Sequence, residues 1–170
     1  MTVTACIGLG ANLGDREATL CEAIDAIEST RGVRVVARSS LWETDPVGPP
    51  PQGPYLNGAV RIETSLDARA LLARLHEIEA DAGRVRADRP RNSARTLDLD
   101  LLLFGDARID EPALVVPHPR LHERPFVLVP LAEVAGELWH PVLQRTIAEL
   151  AGRAGRAGVR GRADGERSGR

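Results

Sequence analysis

In the run Arg95-Thr96-Leu97-Asp98-Leu99-Asp100-Leu101-Leu102-Leu103-Phe104, six of ten side chains are large and apolar. That is the composition of a strand buried on both faces. Side chains alternate along a strand, so Asp98 and Asp100 point to one side with Cβ atoms about 7 Å apart. Two carboxylates held together at the end of an apolar strand repel each other and lose hydration. A divalent cation, or a pair of them about 4 Å apart, removes both costs. Oxygen ligands with no His or Cys beside them favour Mg²⁺ over Zn²⁺. The bare D-x-D pattern would look the same on a solvated edge, so the neighbouring residues decide its meaning.

Immediately before it, Gly83 to Arg95 carries five arginines in thirteen residues, with Gly, Pro, Asn and Ser as loop formers. The guanidinium fork matches phosphate oxygens in a bidentate way. A basic loop feeding a paired-Asp strand puts phosphate clamps and metal ligands in one site. Phosphoryl transfer needs that equipment, because its catalysis is mostly positioning and charge neutralisation.

The elements that must position these groups follow from periodicity. Val3 to Gly8 is a short apolar strand, followed by a glycine-rich turn from Gly8 to Gly14. Asp15 caps a helix with Leu20, Ala23, Ile24 and Ile27 on one stripe. Val33 to Thr44 reads as one long strand, then a proline-rich loop leads to a strand from Tyr55 to Glu63. Ser65 is the expected cap of a second helix bearing Leu71, Leu75, Ile78 and Ala82, which Gly83 stops. After the Asp strand, Phe126 to Val134 reads as helical despite Pro130, and Thr146 begins a last short helix.

Strand-helix-strand-strand-helix-strand is the order of the α+β, ferredoxin-like split βαβ fold: an antiparallel sheet with helices on one face, here with extra C-terminal helices. Gly8, Gly10 and Gly14 are out of register for a dinucleotide fingerprint, and the element order is wrong for a doubly wound sheet.

Composition narrows the rest. At 170 residues, 43% hydrophobic and 27% charged, the chain has the make-up of an ordinary globular domain, expected over residues 1–150. It has no run of eighteen apolar residues and no signal-peptide pattern, so the expectation is a cytoplasmic protein without a membrane partner. Cys6 and Cys21 read as core fillers. All 22 basic residues are arginine, which excludes a P-loop, since that motif needs its lysine. From Ala151 to Arg170, Gly and Arg alternate with almost no large apolar side chains, and the expectation there is a disordered tail. That tail holds six Arg against Asp164 and Glu166, so the remainder of the chain is acidic.

Four blocks then carry a resemblance: G-A-N-L-G-D near the start, T-D-P-V-G…Y-L-N in the middle, G-R-V-R…R-T-L-D-L-D, and V-P-H-P…R-P-F-V-L-V-P-L. In one collinear order from about Val3 to Leu150 they resemble the 6-hydroxymethyl-7,8-dihydropterin pyrophosphokinases of folate biosynthesis. The resemblance implies a ferredoxin-like monomer that moves the β,γ-pyrophosphoryl group of MgATP to the pterin hydroxymethyl group and releases AMP.

Carried over by position, Asp98 and Asp100 match the carboxylates that hold two Mg²⁺ ions. Arg84 and Arg95 match catalytic arginines near the phosphates, with Arg86 and Arg89 in the loop between them. Tyr55, Asn57 and Phe126 match the pterin pocket, and Thr44 and Val47 lend backbone groups to the pterin edge. Glu79, His118 and Arg124 match positions that contact the nucleotide. A flat, polar-edged heterocycle wants aromatic faces and an amide that donates and accepts. The chain has only five aromatics, so two at those places are informative, although a lone Phe is equally at home in a core.

Three departures stand out. The loop before R-T-L-D-L-D has Ala94 where Pro is usual and lacks the Trp that members often carry; Pro119 replaces an aromatic of some members; Asp45 stands where Pro is common. Two other classes remain to be separated: a nucleotidyl transferase or cyclase with a ferredoxin-like palm, and an RNA-binding module with an RG-rich tail. The second requires aromatics exposed in the middle of the sheet, and no nucleic-acid partner is expected.

Overall fold

A computed structural model describes residues 1–46, 53–83 and 97–163. Its sheet is antiparallel throughout. The strands are β1 (Val3–Ala11), β2 (Val33–Arg38), β3 (Trp42–Thr44), β4 (Tyr55–Thr64), β5 (Asp98–Phe104) and β10 (Val159–Arg162). The order across the sheet is β10-β3-β4-β1-β5, with β2 pairing the far end of β4. Without β10 this is the split βαβ order, with β1 central between β4 and β5.

Helices α1 (Arg16–Glu28) and α2 (Ala68–Gly83) cover one face. Their Leu20, Ile24, Ile27, Leu71, Leu75 and Ile78 pack on Ala5, Ile7, Leu9, Val60, Ile62, Leu99 and Leu101. The C-terminal helices α3 (Pro125–Ala135) and α4 (Ile147–Ala154) lie on the opposite face, over Cys6, Ala59, Leu102 and Leu103. The strands are therefore apolar on both sides, and the two cores are separate clusters. Between them, α3 and α4 leave one end of that second face uncovered, and the site lies there. The small ribbons β6 (Ile109–Glu111) with β7 (Leu114–Val116), and β8 (Trp139–His140) with β9 (Arg145–Thr146), and a 3-10 turn at Leu121–Glu123 complete the described structure.

Several local expectations need correction. The first strand does not stop at Gly8: it runs to Ala11, so Gly8 and Gly10 are strand residues and not turn residues. The segment from Val33 to Thr44 is two strands. Between them the Ser39 hydroxyl accepts the N–H of Ala59 at 2.8 Å, taking the place of a backbone carbonyl. The cap of α2 is Asp67, whose Oδ1 accepts the Ala70 N–H at 2.8 Å, and not Ser65. Asp15 does cap α1, accepting from Ala18 at 3.1 Å. Cys6 is a core filler whose thiol burial pushes up to about 12, but Cys21 is exposed on α1.

The largest correction concerns the tail. Residues 151–163 are not a disordered extension: α4 continues to Ala154 and β10 adds to the outer edge of β3. The physical reason is that arginine supplies apolar stems and a stacking plane as well as charge. The guanidinium groups of Arg156 and Arg162 lie 4.9 and 5.5 Å from the Trp42 ring centroid, and Arg160 pairs with Asp45. Edge-strand hydrogen bonding does the rest. Residues 164–170 lie outside the described residues.

Candidate active site

Strand register builds the floor of the site. Gly10 pairs with Asn57 on one side and Asp98 on the other, and Asn57 pairs in turn with Trp42. Residues directly opposite in an antiparallel sheet share a face. Trp42, Asn57, Gly10 and Asp98 therefore form one row across four strands. In the next row along the strands, Ala59, Gly8 and Asp100 line up in the same way. The two glycines put no side chain in the middle of each row, and neighbouring side chains lean into that space. A Cβ on Gly10 would meet Asn57 Oδ1 at 2.8 Å, and one on Gly8 would meet the Leu102 side chain at 3.3 Å. The cavity reaches the backbone of Gly8 and Gly10 because these two positions carry no side chain.

Over this floor lies a cavity of about 640 Å³. Its lining includes Asp98 and Asp100 from β5, Tyr55 and Asn57 from β4, and Thr44, Asp45 and Pro46 at the end of β3. Arg120, Arg124, Phe126 and Val127 form the wall at the start of α3, and Ala157 and Gly158 close the side before β10. Asp98 and Asp100 are half-buried and sit on the same side of β5, as the D-x-D spacing requires. Asn57 is buried and its Nδ2 donates to the buried Thr44 hydroxyl, which fixes the orientation of the amide. Phe126, in the first turn of α3, is half-buried, with the Arg124 guanidinium 5.7 Å from its ring centroid. Pro130 has no N–H, so the Phe126 carbonyl lacks its helical donor four residues on.

Two further groups surround the Asp pair without lining the cavity. Glu79 reaches from α2 to the free edge of β5, where its carboxylate accepts the Leu99 N–H at 3.0 Å. Burial raises its pKa; that hydrogen bond opposes the rise, and the charges of Asp98 and Asp100 add to it. His118 donates its backbone N–H to the Leu102 carbonyl at 3.0 Å, and its Nδ1 accepts from the Arg120 N–H at 3.3 Å. Burial lowers its pKa; Asp100 opposes this, while Arg124 and Arg120 reinforce it. With Nδ1 accepting the Arg120 N–H, Nε2 is the ring nitrogen placed to donate.

Of the residues singled out from sequence, the structure brings Thr44, Tyr55, Asn57, Asp98, Asp100, Arg124 and Phe126 to one cavity, with Glu79 and His118 beside it. Val47, Arg84, Arg86, Arg89 and Arg95 lie outside the described residues. Sequence reasoning did not assign Asp45, Arg120, Ala157 or Gly158 to the site. The glycine spacing of β1 was the available signal for the floor: alternate glycines on a strand mark a face left open. The helix that carries Phe126 covers much of this sheet face, and Trp42 is buried. An open, aromatic-studded sheet surface for RNA is therefore not what this face presents.

Residues 6–136 match the family model of the 7,8-dihydro-6-hydroxymethylpterin-pyrophosphokinases. The chain is 46% identical over 138 residues to the 2-amino-4-hydroxy-6-hydroxymethyldihydropteridine pyrophosphokinase of Bacillus subtilis, covering 81% of each chain. It is 42% identical over 148 residues to the Haemophilus influenzae enzyme of the same name, covering 87% of this chain and 91% of that one. Among solved structures, a Plasmodium falciparum HPPK-DHPS chain superposes with a TM-score of 0.72 at 16% identity. It matches 90% of this chain, which spans 45% of the Plasmodium one, and that likeness bears on the fold alone. The chain thus belongs to the 7,8-dihydro-6-hydroxymethylpterin-pyrophosphokinase family, enzymes that transfer pyrophosphate from ATP to hydroxymethyldihydropterin in folate biosynthesis.

Proposed function

We propose that the cavity over Gly8 and Gly10 is the reaction site, with the pterin at its Asn57–Phe126 end and the ATP phosphates at its Asp98–Asp100 end. The observation that carries this reading is the row Asn57–Gly10–Asp98, which sets an amide and a carboxylate on either side of a hollow floor. Two strand spacings, about 10 Å, separate them. Asn57 offers an amide oxygen and N–H to the polar edge of the pterin, and Tyr55 and Phe126 offer aromatic faces. Arg124 and His118 donate to the nucleotide or its phosphates, and Glu79 bounds that side. Arg84, Arg86, Arg89 and Arg95 belong to the phosphate clamp on the strength of the family resemblance, and Val47 to the pterin edge.

Two half-buried carboxylates on one side of a strand, both lining the cavity, fit hard divalent cations. Asp98 and Asp100 would hold two Mg²⁺ ions. Bound there, the cations supply Lewis acidity and charge neutralisation at the phosphates. The chain's own contribution is placement. The pterin end presents the hydroxymethyl oxygen to the β-phosphorus in line with the leaving AMP, so the P–O bond to the pterin forms as the bond to the α-phosphate oxygen breaks and the hydroxyl proton passes to water. No side chain of the described lining stands out as a general base.

The product identifies the reaction. AMP and a diphosphorylated pterin are expected from ATP only when the pterin alcohol is present. Release of ADP would make the site a simple kinase, and free pyrophosphate would make it a nucleotidyl transferase. We also assign the enzyme to the cytoplasm, as a single-domain monomer without nucleic-acid or membrane partner. In support, Cys6 and Cys21 are both free thiols, and no described helix is long and apolar enough to cross a membrane.

Gly10→Ala tests the floor. The new methyl group displaces the Asn57 amide, whose loss as a partner costs about 1–3 kcal/mol. Pterin affinity should fall about tenfold or more, while affinity for a non-hydrolysable ATP analogue holds. Unchanged pterin binding by calorimetric titration would remove Asn57 and Gly10 from the pocket.

A further inference from the structure

We infer that the C-terminal segment Arg156–Arg162 is a positioning element for the pterin end of the site, latched by the Arg160–Asp45 ion pair. This rests on the reading that the pterin occupies that end. The segment touches the site directly, since Ala157 and Gly158 line the cavity beside Asp45 and Pro46. It also grips β3, the strand that supplies the adjoining wall. The Gly158 carbonyl accepts the Asp45 N–H at 2.8 Å, Val159 pairs with Thr44, and the Leu41 carbonyl accepts the Ala163 N–H at 2.8 Å.

Side chains close the arrangement. Trp42, three residues before Asp45, is buried between two contacts. Its indole N–H donates to Glu133 of α3, and Arg156 and Arg162 stack on its ring. The same strand places Thr44, whose hydroxyl orients the Asn57 amide. A shift of β3 away from β10 therefore moves the Thr44–Asp45–Pro46 wall and loosens Asn57. The Asp98–Asp100 end lies three strands away, beyond β4 and β1. The latch should therefore act on one substrate and not on the other.

Asp45 is one of the departures of this chain from its family's pattern, and in the structure it bonds the C-terminal segment through both its side chain, to Arg160, and its backbone, to Gly158. Arg160 is exposed, so replacing it leaves the core untouched.

The test uses the full chain with Arg160→Glu, Asp45→Arg and the charge-swapped double variant, measured by steady-state kinetics for both substrates. An exposed ion pair turned repulsive is worth about a fivefold change. Arg160→Glu should raise KM for the pterin about fivefold, with kcat and KM for ATP within about twofold. Asp45→Arg/Arg160→Glu should recover most of the loss. Trp42 emission, read in a Trp139→Phe background, should shift to the red in Arg160→Glu and return in the double variant. An unchanged pterin KM overturns the latch. So does an equal rise for both substrates with falling kcat, which marks a general loss of structure, and so does a double variant no better than the singles. A rise confined to ATP overturns the latch together with the assignment of the two ends. Phe126→Ala, measured alongside, reports on the pterin end independently of the latch.

Discussion

Asp98→Ala and Asp100→Ala are each expected to lower turnover by about a thousandfold or more while the protein stays folded. Removing a ligand for the cations takes away charge stabilisation worth several kcal/mol, and each 1.4 kcal/mol is a factor of ten. Both side chains are only half-buried and neither belongs to the two apolar cores, so the melting temperature should move little. Asp→Asn at each position separates charge from shape, since the amide keeps the volume and one oxygen but loses the negative charge. A magnesium titration of each variant completes the test. Weaker activity restored by high magnesium means a damaged site, whereas wild-type activity in either alanine variant would end the proposed metal role.

Phe126→Ala should weaken pterin binding about tenfold or more. Stacking a flat heterocycle on an aromatic ring is worth about 1–3 kcal/mol, by analogy with nucleobases on protein platforms. Affinity for a non-hydrolysable ATP analogue should hardly change. The ring is half-buried at the first turn of α3 and lies outside the second core cluster, so only a modest stability loss accompanies the change. Titration calorimetry with each ligand, beside a melting curve, distinguishes the outcomes. A lower melting temperature with unaltered pterin affinity would make Phe126 a packing residue and move the pocket elsewhere.

Local rules made much of the molecule legible. The alternation of side chains settles that Asp98 and Asp100 share a side of β5, whatever surrounds them. The Asp15 cap, the apolar stripes of α1 and α2, and the strand-helix order are read from residues within a few positions of one another, where propensity and periodicity act. The errors arose where a distant partner decides. Ser39 breaks the run from Val33 to Thr44 because its hydroxyl finds the Ala59 N–H twenty residues away. Gly8 and Gly10 look like a turn until β4 and β5 are placed on either side and make them the floor of a cavity.

The C-terminal segment is the clearest case. Its Gly/Arg composition describes a chain with too little apolar surface to order itself, and taken alone that accounting is correct. What it omits is the surface already present at the open edge of β3: an indole for two guanidinium planes, a carboxylate for a third, and a row of unpaired backbone groups. Sequence pointed to residues for phosphate and metal chemistry through side-chain type and short-range spacing, and to residues for the pterin through the family resemblance. Tertiary structure decided which strand faces meet, where the hollow lies, and that Arg156–Arg162 joins its wall, because those depend on partners tens of residues away whose contacts no local pattern encodes.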